Sequence, residues 1–170
     1  PHQPSPVMRE LATAKGQRIQ HRLPDSTTIW LAPGSVLQYP ATFNGAQREV
    51  TLQGEAFFEV AHDSLHPFIV HAGDMHTRVL GTSFAIQAYD DQPAIAVTLV
   101  TGKVNVSNKD RQMILAPNQR AVLDKATRQL KKEDDPDAAR MIARRDGLLA
   151  YKGTALQSVV RDLELQYNVT

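Results

Sequence analysis

Residues 50–73 read VTLQGEAFFEVAHDSLHPFIVHAG, and the periodicity of this stretch decides the fold class. Val50, Leu52, Gly54, Ala56, Phe58 and Val60 fall on one side of a two-residue repeat. Thr51, Gln53, Glu55, Phe57 and Glu59 fall on the other. A pleated strand sends successive side chains to opposite faces, so Val50–Val60 reads as a half-buried β-strand. Gly54 has no side chain to pack and marks a bulge or a close backbone approach. The polar loop His62–His66 ends at Pro67, which favours extended backbone before it and a new strand, Phe68–Val70, after it. The expectation is a strand, a tight return and a second strand.

Working outward, the pattern repeats at short spacing. Arg18–Leu23, Thr28–Leu31 and Val36–Tyr39 read as strands separated by Pro24-Asp25-Ser26 and Pro33-Gly34, with Asn44-Gly45 as a hairpin signal. Downstream, the strands are His76–Leu80, Ser83–Tyr89, Ile95–Val100, Lys103–Ser107, Met113–Leu115 and Arg120–Leu123. No helix intervenes, which argues an all-β body of stacked short antiparallel strands, a solenoid-like or jelly-roll-like sandwich. Two echoes fit such stacking: VTLQG at 50–54 with VTLVTG at 97–102, and LAPGS at 31–35 with LAPNQ at 115–119.

The flanks read differently. Residues 1–16, with Pro1, Pro4, Pro6 and Gly16, read as a flexible tether, leaving 17–132 as the β domain. From Asp124 to Asp146 the chain carries seven basic and six acidic residues, a mixed-sign solvated connector. Within 133–147, Asp135-Pro136 starts a short helix. Residues 148–170 read as the first strand, Leu148–Lys152, and first helix of a second domain. Thr154-x-x-Gln157 is a capping box, and Leu156, Val159, Val160, Leu163 and Tyr167 form an apolar stripe that should be buried.

At 42% hydrophobic and 22% charged residues, the chain has a globular composition. Its 19 basic and 18 acidic residues leave no electrostatic footprint for nucleic acid. Without cysteine there is neither disulfide nor thiolate nucleophile. No stretch is apolar enough to span a bilayer, and a chain that starts at proline reads as a piece of a longer protein.

The residues offer no catalytic set. His62, His66, His71 and His76 are suspects for zinc, but the first pair lies in a predicted turn rather than on a helix. Glu55 and Glu59 share a strand face about 13 Å apart, too far for a glycosidase pair, and read as solvated carboxylates. Phe57 interrupts the polar face and reads as packing beneath a covering strand. No nucleophile elbow or phosphate loop is present. A carbohydrate-binding or cupin-like module, metal-dependent through those histidines, stays open as an alternative to a protein–protein signalling module.

A resemblance then narrows the choice. Leu23-Pro24-Asp25, Trp30-Leu31, Gly34-Ser35-x-Leu37-x-Tyr39-Pro40, Phe43-Asn44-Gly45, Arg48-x-Val50-x-Leu52-x-Gly54-Glu55-Ala56-Phe57-Phe58-Glu59-Val60, Pro67–Val70, Val79–Phe84, Gly102-x-Val104 and Leu115-x-Pro117 occur in order. The chain resembles the periplasmic region of FecR-type anti-sigma factors over about residues 17–125. Its tail from Gly147 resembles the start of the short N-terminal domain of secretins and TonB-linked receptors. The resemblance implies a non-enzymatic periplasmic relay without cofactor. Its partners would be the signalling domain of a TonB-dependent outer-membrane receptor for iron or glycan uptake and, through an absent membrane-anchored cytoplasmic part, an extracytoplasmic-function sigma factor. It supplies no catalytic, cofactor-binding or metal residues and leaves the partner-binding residues unknown. Ser26 stands where the family carries glycine, and Arg144 where it carries tryptophan, which should weaken the packing of the connector helix.

Overall fold

The computed structural model describes residues 4–170. Thirteen strands are followed by two helices, α1 (Arg140–Arg145) and α2 (Leu156–Tyr167). Two seven-stranded sheets share one strand, β5 (Arg48–Glu59). The first sheet runs β1 (Met8–Ala12), β4 (Val36–Pro40), β5, β6 (Phe68–Ala72), β7 (Met75–Val79), β10 (Val104–Ser107), β11 (Gln112–Leu115). The second runs β2 (Ile19–Arg22), β3 (Thr28–Leu31), β5, β8 (Ser83–Ala88), β9 (Ala94–Thr101), β12 (Gln119–Asp124), β13 (Leu130–Asp134). The architecture is all-β, as the alternation requires.

The two sequence echoes mark corners where the chain changes sheet. At LAPGS it passes from β3 to β4, and at LAPNQ from β11 to β12. Gly34 and Asn118 hold matching left-handed φ values of 65° and 64° there. The other echo ends on Gly54 (φ 96°) and Gly102 (φ 91°), where β5 switches sheet and β9 turns into β10. These positions demand a conformation that L side chains reach only at a cost, so turn chemistry repeats where the path repeats.

The opening stretch differs from expectation in one respect. β6 pairs with β5 in parallel, Arg48 opposite Phe68, so the two are not a hairpin. Straight, β5 would separate its ends by about 36 Å. A fully extended link from Glu59 to Phe68 would span about 32 Å. That link instead turns at 63–66, where Asp63 accepts from the amides of Leu65 and His66. β5 must therefore bend, and it does so at Gly54. A Cβ there would lie 2.3 Å from Ser35 Oγ, the same oxygen that accepts the Glu55 amide at 2.9 Å. Arg48, 3% exposed, ties the ends together by donating to Asp25 Oδ2 and to the carbonyls of Ala61 and His66.

Phe58 and Phe84 stack at 5.1 Å at the centre of the core, with Phe68 edge-on to Phe58. Leu31, Leu37, Leu52, Ile86, Leu99 and Leu115 fill the space between the sheets. Among the described residues, no helix is long and apolar enough to cross a membrane.

Several expectations need correction. Met8–Ala12, placed in a tether, forms β1 on an edge, and Pro1 lies outside the described residues. An edge strand exposed on both faces carries no alternation for a sequence reading to find. β13, placed partly in the connector, pairs with β12, so the strands run from Met8 to Asp134 rather than over 17–132. Leu148–Lys152 forms no strand, since no neighbouring strand pairs with it. α2 starts at Leu156 after Ala155, without a side-chain cap, so Thr154 does not build the capping box. Ser26 does adopt the left-handed backbone, with φ 74°. Asp25 supports it by accepting from the amide and hydroxyl of Thr27.

Candidate functional site

The face of β5 that reads as polar is where the helices dock. Glu55 and Phe57 alternate outward from the second sheet, yet are only 5% and 3% exposed. Glu55 is therefore a buried carboxylate rather than a solvated one, while Glu59 is exposed as expected. Phe57 is covered by α1 rather than by a strand: Met141 packs on it and Ala85. Arg145 lies over the Trp30 ring at 4.1 Å and the Phe57 ring at 5.0 Å.

Arg144 is the hub. Its Nε and Nη2 donate to Glu55 at 2.5 and 2.8 Å, and its Nη1 and Nη2 donate to Asp162 of α2 at 2.8 Å each. One planar fork thus grips two carboxylates, a geometry lysine cannot reproduce. The expected weakening of the connector at this position is corrected: the guanidinium holds α1 by charge and hydrogen bonds.

A second tier completes the junction. Tyr151 donates its hydroxyl to Asp162 at 2.5 Å, and Arg18 donates to Gln166 Oε1 at 2.6 Å and to the Arg144 carbonyl at 3.2 Å. Gln166 donates to Asp162 and to the Tyr89 hydroxyl, which itself donates to the Pro33 carbonyl at 2.8 Å. Leu165 sits on Gly34, where a Cβ would come within 2.7 Å of its Cδ1. Arg161 pairs with Asp91 and covers the Tyr89 ring at 4.4 Å.

α2 therefore docks through Asp162, Leu165 and Gln166, an i, i+3, i+4 face, and not through the apolar stripe. Leu156 is 76% exposed, Val160 45% and Tyr167 51%. On this face Arg144 supplies the counter-charge without which a buried Asp162 would be strongly unfavourable, and Leu165 supplies the apolar contact. Burial would lower the Arg144 pKa, but Glu55 and Asp162 more than offset this and raise it. Burial also acts to raise Asp162, yet Arg144 holds its carboxyl below the ordinary value. The Tyr89 hydroxyl is pushed up by burial and by the charge of Glu55, and Tyr151 by burial and Asp162. A cavity of about 340 Å³ opens beside the junction, lined by Tyr89, Arg140, Arg144, Tyr151, Arg161 and Asp162. Arg144 thus bridges α2 to β5 through Asp162 and Glu55.

The four suspect histidines do not converge. His66 contacts Asp63 in the 60–67 loop, and His71 faces His76 across β6 and β7. Among the described residues, no group of three or more histidine, cysteine or acidic side chains is placed to hold a metal ion. Sequence reasoning missed Glu55, Asp162 and Gln166 as junction residues and took Arg144 as a weakening. Acidic residues within an apolar pattern were the available signal, but their partner lies 89 residues away for Glu55.

No curated protein matches the chain. Two crystal structures described as a candidate anti-sigma factor from Parabacteroides distasonis ATCC 8503 superpose with TM-scores of 0.90 at 36% identity. The matches cover 95% and 94% of this chain and 76% and 75% of those chains. The model of the FecR protein family matches residues 9–105, more than half of the sequence, and by this match, together with the shared fold, the chain belongs to the FecR protein family.

Proposed function

We propose that the chain is the periplasmic sensor part of a membrane-spanning anti-sigma factor. It receives a signal from the signalling domain of a TonB-dependent outer-membrane receptor, and a cytoplasmic segment outside this chain answers by controlling an extracytoplasmic-function sigma factor. Its family is regulatory and non-enzymatic. The observation that carries the reading is the 36% identity, over 95% of the chain, to a candidate anti-sigma factor of the same fold. The Arg144 junction suits a relay, because α2 rests on the β-body largely through polar contacts that a partner can exchange. We place the start of a second domain at 148–170, with 135–147 as the connector between it and the β-body.

The test is calorimetry of the chain, extended through the complete second domain, against receptor signalling domains encoded beside its gene. It is paired with a sigma-dependent reporter in cells. Saturable binding to one such domain and an altered reporter response in the Arg144→Ala variant are expected. Failure to bind any of them, with the protein folded, overturns the reading.

A further inference from the structure

We propose that His71 and His76 form a binding site for a divalent ion that prefers square-planar nitrogen ligation, Cu(II) in the first instance. The two residues are directly opposite in the β6–β7 pair. Their Nδ1 atoms face each other at 2.7 Å. On the far side of the same ring, His71 Nε2 lies 3.1 Å from Glu49 Oε1. Both contacts are satisfied with neutral imidazoles in one way only. His71 donates Nε2–H to Glu49, and its bare Nδ1 accepts the Nδ1–H of His76. Glu49 therefore orients His71 with a lone pair aimed at its neighbour, the carboxylate–histidine device that fixes metal-ligating imidazoles.

A metal ion replaces the shared proton. Two nitrogens each about 2.0 Å from one ion stand about 2.8 Å apart at a right angle, and about 3.3 Å apart at the tetrahedral angle. The observed 2.7 Å is nearer the right-angle separation, but the rings meet almost head-on, with centroids 4.9 Å apart, so both must swing for their lone pairs to converge on one ion. The order of affinities for nitrogen ligands also favours copper over zinc. Since no third side chain joins the pair among the described residues, water takes the remaining positions. Bound there, the ion staples β6 to β7 beside the first half of β5.

The test is Cu(II) titration of tag-free protein by calorimetry and electron paramagnetic resonance. It is done in a His2→Gln background, so that the histidine beside the chain start does not compete. One ion per chain with an axial spectrum coupled to two nitrogens is expected, together with weaker Zn(II) binding. Glu49→Gln should weaken Cu(II) about tenfold, within the range of such orienting partners. His71→Gln and His76→Gln should each weaken it further. Because these side chains lie on the outer surface, thermal unfolding of each variant without metal should match the parent and certifies the fold. Undiminished affinity in the His71→Gln/His76→Gln double variant, coupling to fewer than two nitrogens, zinc binding as tight as copper, or a Glu49→Gln variant equal to the parent would each overturn the proposal.

Discussion

Removing the Arg144 guanidinium should release α2 before it unfolds the body. In the Arg144→Ala variant, the Glu55 side chain, 7% exposed, and the Asp162 side chain, 12% exposed, lose their common counter-charge. Breaking a buried pair from one side costs about 3–5 kcal/mol, because the remaining charge stays desolvated. The loss is capped by the free energy that docks the helices, since α2 can leave and let water reach both acids. If docking is worth the full amount, the melting temperature falls by roughly 6–20 °C at 2–4 °C per kcal/mol. If it is worth less, the melting temperature barely moves and amide exchange across 156–167 accelerates instead. A double-mutant cycle with Glu55→Ala separates the pair from its surroundings. The double variant should cost less than the two singles together by about 2 kcal/mol, within the usual range for contacting residues. An Arg144→Ala protein with unchanged melting and unchanged exchange over α2, or strictly additive costs, would refute the junction as described.

Three further outcomes follow from particular residues. Gly54→Ala should lower stability by more than about 2 kcal/mol in urea titration, combining positive-φ strain with a clash 2.8 Å from the Ser35 backbone; a loss under about 1 kcal/mol contradicts the bend. Ser26→Gly should stabilise by roughly 0.5–1 kcal/mol, since relief of a left-handed serine, about 1–2 kcal/mol, outweighs the added freedom of the unfolded chain; thermal melting reads the sign. Asp162 is depressed below 3.8 when docked and recovers on release, so docking keeps this contribution above about pH 4 and loses it as pH falls through the lower docked value. Exchange over 156–167, measured from pH 7 downward, should therefore stay slow until the acid side of pH 4, and release between pH 7 and 5 would contradict it.

Most strands and their turns were legible in the sequence because their causes are local. Alternation over 50–60 and the break at Pro33-Gly34 need no distant partner to be read, whereas the change of sheet at Gly34 and Asn118 emerged only from the strand pairing. β1 and β13 escaped notice because edge strands are held by backbone pairing more than by an apolar face. Arg144 was legible as a departure from the family pattern, but its role was not. A guanidinium weakens packing or anchors it according to whether two acids meet it, and sequence spacing does not reveal that.

By itself, the order of residues determined an all-β body and where its chain turns, through the two-residue repeat and the few residues that tolerate positive φ. Only the tertiary structure decided that β6 runs parallel to β5 and that α2 turns its polar face inward. Both depend on free energies shared between groups far apart in the chain. The bend at Gly54 brings Arg48 under the 60–67 loop, and Arg144 gives the buried Glu55 and Asp162 the shared counter-charge that lets this face of α2 pack inward with Leu165.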